Sequence, residues 1–112
     1  MKMILSIIPE YRLDRVTRRL INVEEFPGMT VVPGRGFGQE KMEGALSSRE
    51  ELTDFTPNVR IEIVVTDALV EPVIEAVVEA AHTGERGNGK IFVLPVEDAV
   101  RIKTKTRGEV AV

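Results

Sequence analysis

The chain has 112 residues, of which 43% are hydrophobic and 29% are charged, and its formal net charge is -3. These values predict a single soluble domain with its own core and give no general attraction to nucleic acid or to an anionic membrane. The sequence has no cysteine and one histidine, which excludes disulfides, thiol nucleophiles, thiolate metal sites and multi-histidine metal sites.

The first elements are a strand and a helix. An apolar run at residues 3–8 stops at Pro9, which predicts a buried strand and is too short for a secretory signal. Apolar residues then recur every three or four positions within residues 11–25, separated by arginines. This spacing predicts an amphipathic helix that ends before Pro27 and Gly28.

A second strand and a long polar stretch follow. Residues 29–32 are rich in β-branched side chains and predict a strand, and the segment 34–38 is rich in glycine. Residues 39–58 have no sustained apolar period. A long loop in a compact domain is commonly functional or disordered, and a plain surface loop is the alternative interpretation.

The C-terminal half repeats the order of strand, helix and strand. Residues 60–65 predict a strand, after which Asp67 could cap a helix. The predicted apolar face of that helix consists of Val70, Val73, Ile74, Val77 and Ala81. His82 falls at the helix end, where it is better placed to interact with the helix dipole than to act in catalysis. Residues 90–96 predict the last strand.

This order predicts an α+β, ferredoxin-like βαββαβ sandwich, with a long loop between strands 2 and 3, formed by a single domain of residues 1–112. Both helices would cover one face of the sheet. The strands also carry apolar residues at adjacent positions, so the other face needs a cover as well. Oligomerisation through the sheet is the expected solution.

Two features point to an anionic ligand. Three glycines fall within residues 83–90, where they form either a simple turn or a backbone cradle for an anion. Basic residues also occupy alternate positions within 101–107, which in an extended chain would form either a one-sided phosphate-binding row or a protected edge strand. Neither glycine segment is a Walker motif. Together the features predict a small phosphorylated ligand, and no catalytic constellation or metal site is evident.

Several motifs in order resemble those of the PII signal-transduction proteins over nearly the whole chain. They are MKMILSIIPEYRLDRV at the start, GMTV, GFG, DFTPNVRIEIVV, TGERGNGKIFV and the late VRIKT. The resemblance implies a cytoplasmic, non-enzymatic homotrimer without a covalent cofactor. It further implies that ATP, ADP or AMP binds in clefts between neighbouring subunits, and that the loop at 39–58 is the T-loop that docks on a target protein.

The resemblance also assigns residues by position. The residues expected to line the cleft from one subunit are Ile7, Thr30, Gly36, Phe37, Gly38, Gln39 and Val64. The residues expected to cradle the phosphates, in a B-loop at 83–90, are Gly87, Asn88, Gly89 and Lys90. Arg101 and Lys103, in the C-terminal segment 101–112, would reach across from the neighbouring subunit.

Departures from the family pattern concern the second ligand and the partner. Glu51 falls near the place of the uridylylated tyrosine, and Asn58 replaces the lysine that pairs with 2-oxoglutarate. A glutamine that helps to hold magnesium is replaced by Glu40 or displaced to Gln39. The residues expected to govern the second ligand or the partner are thus Glu40, Lys41, Glu51 and Asn58. They make uridylylation and a 2-oxoglutarate response unexpected.

Asn88 gives an Asn-Gly pair in the B-loop and resembles the subgroup called PII-NG. That subgroup implies a partner in inorganic-carbon or metal-efflux physiology, either a membrane transporter or an efflux component, and bicarbonate as a candidate second ligand. The protein itself would not insert into the membrane. Three alternatives stay open: a classical nitrogen-regulatory PII responding to 2-oxoglutarate, a CutA-like metal-binding trimer that uses loop acids or His82, and a weak nucleotide hydrolase.

Overall fold

A computed structural model describes residues 1–37, 55–84 and 89–112. The strands are β1 (Lys2–Pro9), β2 (Thr30–Gly36), β3 (Thr56–Val65) and β4 (Lys90–Pro95), and the α-helices are α1 (Leu13–Leu20) and α2 (Val70–Ala81). The strands form one antiparallel sheet in the order β2-β3-β1-β4. The predicted ferredoxin-like fold is therefore confirmed, while the homotrimer stays a prediction.

The side chains of β1, one of the two central strands, alternate between the two faces of the sheet. Ile4, Ser6 and Ile8 are buried, and the residues between them are half-buried. The residues of β3 that pair with them are Ile63, Ile61 and Val59, which are buried too. Because successive strand side chains point to opposite faces, one parity of each strand forms the core.

The two helices cover this buried face. From α1, Val16 and Leu20 enter the core. The predicted apolar face of α2 is largely confirmed, since Val73, Val77 and Ala81 are buried and Val70 and Ile74 pack against the core half-buried. Burial of a valine- or leucine-sized side chain contributes about 1.5–3 kcal/mol, so this layer provides most of the hydrophobic stabilisation of the chain.

Helix α1 is shorter than the apolar spacing predicts. It ends at Leu20. The side-chain amide of Asn22 donates a hydrogen bond to the backbone carbonyl of Arg18 at 3.2 Å. Successive turns follow, and Glu25 has a positive φ of 63°. The prediction of a helix within 11–25 is therefore wrong at its C-terminal end, because side-chain bonding to the backbone competes with the helical ladder.

The predicted capping role of Asp67 is also wrong. Asp67 begins a short 3-10 helix, Asp67–Leu69, that precedes α2, and neither this helix nor α2 has a side-chain cap. Its carboxylate instead accepts a hydrogen bond from the N-terminal ammonium of Met1 at 3.1 Å. This bond, with the charges of the ammonium and of Lys2, lowers the pKa of Asp67.

The basic segment 101–107 is neither an extended row nor an edge strand, so both sequence interpretations of its shape are wrong. The chain folds back on itself, with an isolated bridge between Val100 and Arg107. Lys105 has a φ of 60°, which ends the two-residue alternation of an extended chain. We call residues 98–108 the C-terminal hairpin.

The boundaries of the predicted loops also change. β3 begins at Thr56, so the last residues of the predicted T-loop, 56–58, belong to that strand. β2 extends through Gly36 and includes most of the glycine-rich segment. Lys90, at the end of the predicted B-loop, is the first residue of β4.

The sheet face away from the helices is apolar and open in the single chain. Met3, Leu5 and Val64 are half-buried on it, and their β4 neighbours Phe92 and Leu94 are exposed. Exposed apolar patches of this kind commonly mark an interface. No helix in the described part of the chain is long and apolar enough to cross a membrane.

Candidate functional site

Gly89 brings its backbone into direct contact with β1. It has a φ of 102°, and a Cβ added there would lie 1.9 Å from the carbonyl oxygen of Ile7. Only glycine fits such an approach without a shift of the backbone. The next residue, Lys90, pairs across the strands with Ile7. The structure thus brings three predicted site residues, Ile7, Gly89 and Lys90, together at one end of the sheet.

Two other predicted residues, Thr30 and Val64, lie on the same sheet face as Ile7 but further along it. In β3, Ile7 pairs with Arg60, whereas Thr30 pairs with Glu62, which lies two residues beyond Arg60. Val64 lies four residues from Arg60, or about 13 Å at the usual rise of a strand. The single chain therefore does not assemble Thr30 and Val64 with the Ile7 group, and their role in the same cleft stays a prediction.

Asn58 packs across the glycines of β2. It pairs with Gly34, and Cβ atoms added at Gly34 and Gly36 would each lie 2.8 Å from a terminal atom of its side-chain amide. The alternating Gly-x-Gly thus leaves room for one side chain from the neighbouring strand. The predicted second-ligand residue Asn58 is half-buried here and carries no charge.

Aromatic side chains contact each other at the two ends of the segment predicted to be the T-loop. The rings of Phe37 and Phe55 lie 5.7 Å apart at 59°, a geometry that favours edge-to-face attraction. The guanidinium of Arg35 lies 5.8 Å from the ring of Phe55, within cation–π range. Phe37 therefore anchors the base of the loop.

The C-terminal hairpin carries Arg101 and Lys103 at its tip, where both are exposed. Its closing contact joins Asp98 to Arg107, whose Nε donates to Oδ2 at 3.0 Å and whose Nη2 bonds the same oxygen. The bond from Arg107, together with one from the backbone N–H of Ala99, lowers the pKa of Asp98. The hairpin thus carries the cations Arg101 and Lys103 on a turn that is closed by the contact between Asp98 and Arg107.

A separate groove of about 310 Å³ lies on the helix side of Gly89 and Lys90. Ile74 and Val78 of α2 contribute to its lining, as does His82. His82 ends α2, with its N–H bonded to the carbonyl of Val78 at 2.9 Å, which confirms its predicted position at the helix terminus. The rest of the lining is apolar apart from Gly89, Lys90 and His82.

Several predicted residues lie outside the described part of the chain. They are Gly38, Gln39, Glu40, Lys41, Glu51, Gly87 and Asn88. The loop acids considered as metal ligands fall there too. Among residues 1–37, 55–84 and 89–112, no group of three or more His, Asp or Glu side chains could hold a metal ion.

Sequence reasoning missed the residues that support the site. Gly34, Arg35 and Phe55 shape the ends of the predicted loop, and Asp98 and Arg107 close the hairpin. Gly34 and Phe55 carried a usable signal, since glycines alternate in GRGFG and phenylalanines lie just before the polar stretch and near its end. The pairing of Asp98 with Arg107 had none, because the hairpin itself was not predicted.

The fold and the glycine contact define a small ferredoxin-like protein in which Gly89 and Lys90 lie beside Ile7 at one end of the sheet. Residues 1–106 match the family described as nitrogen regulatory protein P-II, and the chain belongs to that family. The P-II of Azospirillum brasilense is 48% identical over 109 residues, 96% of either chain, and that of Haemophilus influenzae is 43% identical over the full length of both.

A solved structure supports the same assignment. The crystal structure of Arabidopsis thaliana PII bound to citrate superposes with a TM-score of 0.82 at 39% identity, covering 99% of this chain and 91% of that one. The chain is thus a member of a family of signal-transduction regulators, as the sequence motifs predict. The match favours this class over the CutA-like metal-binding trimer.

Proposed function

We propose that this chain binds an adenine nucleotide and signals its presence to a target protein. The observation that carries the proposal is the close approach of the Gly89 backbone to the carbonyl of Ile7, with Lys90 as the next residue in the chain. Backbone N–H groups of a turn that contains a positive φ can together bind an anion, and the lysine adds a positive charge for phosphate oxygens.

The proposed site lies between subunits of a homotrimer. One subunit provides the Ile7 and Lys90 end of its sheet, and its neighbour provides Arg101 and Lys103 from the C-terminal hairpin. Thr30 and Val64, which the single chain does not bring to Ile7, would contribute from the open face once subunits pack together. The exposed Phe92 and Leu94 supply an apolar surface for that packing.

The proposed signal leaves through the loop between β2 and β3. The contact between Phe37 and Phe55 holds the two ends of that loop together, at the same end of the sheet as Ile7 and Lys90. A ligand changes the loop only if it binds one loop arrangement more tightly than another. This role is regulatory and not enzymatic, and we place it in the cytoplasm.

Two versions of the function differ in the second ligand and the partner. The uncharged Asn58, held between Gly34 and Gly36, supports a PII-like regulator that does not use 2-oxoglutarate, with bicarbonate as co-ligand and a membrane transporter or efflux component as target. The two relatives described above are named nitrogen regulatory proteins, and these names favour the alternative, a classical nitrogen role with 2-oxoglutarate as second ligand.

Isothermal titration calorimetry of the full chain with ATP, ADP and AMP tests the shared part of the proposal. We expect micromolar binding of at least one nucleotide. Replacement Lys90→Met should weaken it by about 1–3 kcal/mol through loss of a charge-assisted bond. The matched control Arg15→Ala removes an exposed cation from α1 and should leave affinity unchanged. Equal affinities of wild type and Lys90→Met would contradict the assigned site.

The same titrations, repeated with bicarbonate and with 2-oxoglutarate, separate the two versions. Tighter nucleotide binding with bicarbonate alone supports the PII-like version. Tighter binding with 2-oxoglutarate alone supports the nitrogen-regulatory version and shows that Asn58 is compatible with that ligand.

A further inference from the structure

We propose that Asp98 and Arg107 are positioning residues, whose ion pair keeps the C-terminal hairpin closed and thereby presents Arg101 and Lys103 to the phosphates of a nucleotide. The inference rests on the proposed function, because Arg101 and Lys103 need a preferred arrangement only if they meet a ligand. Neither Asp98 nor Arg107 contacts the ligand in this account.

The backbone alone holds the hairpin weakly. The N–H of Arg101 donates to the Thr106 carbonyl at 3.0 Å, and the N–H of Gly108 donates to the Ala99 carbonyl at 2.9 Å. The N–H of Lys105 closes the turn on the Arg101 carbonyl at 2.7 Å. A two-stranded hairpin with so few bonds is marginally stable in water, so its closure needs further contacts.

The carboxylate of Asp98 supplies contacts to both strands of the hairpin. Its Oδ1 accepts from the N–H of Ala99 at 2.9 Å, while its Oδ2 accepts from Nε of Arg107 at 3.0 Å and from Nη2 of the same guanidinium. Single exposed ion pairs contribute little. This one adds a backbone bond and joins the first residue of the hairpin to the ninth after it, so it acts as a clamp.

Three features of the turn oppose closure. Lys105 has a φ of 60°, which is unfavourable for a side chain with a Cβ. The cations of Arg101, Lys103 and Lys105 repel one another within a few residues. Ile102 is 92% exposed and gives the turn almost no packing. Without the clamp, the hairpin is therefore expected to open.

The sign of one substitution separates positioning from simple electrostatics. Asp98 is an acid in the segment that meets the phosphates, so Coulomb's law alone predicts that its removal strengthens binding of an anionic ligand. If Asp98 acts as a clamp, its removal frees Arg101 and Lys103 and weakens binding, because the ligand must then order the hairpin itself.

The test compares Asp98→Ala with Glu97→Ala by ATP calorimetry on the full chain. Both variants lose one negative charge, and Glu97 is exposed and forms no ion pair with another described residue. We expect Asp98→Ala to weaken ATP binding at least about threefold and Glu97→Ala to leave it unchanged or slightly tighter. Arg107→Gln should give a loss similar to that of Asp98→Ala.

A second measurement follows the hairpin without any ligand. Trypsin cuts after lysine and arginine, so its rate of cleavage within residues 101–107 reports how often the hairpin opens. Asp98→Ala should be cut at least about threefold faster than wild type, and Glu97→Ala at the wild-type rate. This result does not require that a nucleotide binds.

If wild type binds ATP and Asp98→Ala binds it equally or more tightly, the inference is overturned and the proposed function stays intact. Equal trypsin rates in Asp98→Ala and Glu97→Ala overturn it as well. If wild type binds no nucleotide, the proposed function fails and the positioning role fails with it, whatever the trypsin rates show about the clamp.

Discussion

The two faces of the sheet use the same strands for different purposes. On the helix side, Ile4 and Ile63 are fully buried and pack with Val77. On the open side, the same strands present Ile7 and the half-buried Asn58. A shift of register by one residue would exchange these two sets. The pairing that stabilises the core therefore also fixes which residues can meet a ligand or a neighbouring subunit.

The largest expected effect comes from the buried face. Replacement Ile63→Ala removes a fully buried side chain and should lower the free energy of unfolding by about 3–4 kcal/mol, measured by urea denaturation.

On the open face, the side chain of Phe92 is 47% exposed in the single chain. The variant Phe92→Ala should therefore weaken self-association in sedimentation experiments. Intact association of Phe92→Ala would argue against an interface on this face.

The next largest effect is expected at the backbone contact between Gly89 and Ile7. Gly89→Ala places a Cβ against the Ile7 carbonyl at a positive φ, so we expect it to lower the free energy of unfolding by about 2–3 kcal/mol. The matched control Gly84→Ala has a φ of 77° but no atom within 4 Å of the added Cβ, and should cost about 1 kcal/mol. Equal costs in urea denaturation would mean that the close approach to Ile7 is not rigid.

A smaller effect is expected where a side chain, not the backbone, fills the space. Gly36→Ala meets the amide of Asn58, which can move, so the expected cost is about 1 kcal/mol. In the Asn58→Ala background, the same substitution should cost clearly less, because the opposing amide is gone. A double-mutant cycle measures this coupling, and strict additivity would show that the two residues do not interact.

The smallest expected effect is the pH response of the C-terminal hairpin. Because the pKa of Asp98 is lowered in the folded chain, its ion pair stabilises the hairpin above the ordinary aspartate pKa of about 3.9 and is lost as the pH falls through the lowered value. The amide proton shift of Ala99, followed by NMR, should titrate below that ordinary value. A midpoint at or above about 3.9 would contradict the clamp.

The sequence predicted the fold well because its signals are local and agree with one another. The apolar run around Ile4 and the α2 face that includes Val73 and Val77 are read directly from spacing. The predictions failed where one polar contact decides the chain direction. Asn22 bonded to Arg18 ends α1 early, and Asp67 binds the N-terminus instead of capping a helix. Spacing carries no information on such pairs.

The candidate site was only partly predictable for the same reason. The glycine at 89 and the lysine at 90 followed from a visible motif, and in the structure both lie beside Ile7, while their role in holding phosphates stays a prediction. The alternating basic residues suggested a strand, but Lys105 adopts a positive φ and the chain turns back. A period-two pattern is informative only where the backbone is extended.

The central claim, a phosphate site shared between neighbouring subunits, is tested most directly by mixing two defective chains. Lys90→Met and Arg101→Ala should each bind ATP weakly alone, and an equal mixture is unfolded, refolded together and titrated with ATP. In a randomly mixed trimer, about one cleft in four combines an intact Lys90 with an intact Arg101 from its neighbour. The account predicts tight binding at that fraction of clefts, whereas no recovered binding would contradict a site built from two subunits.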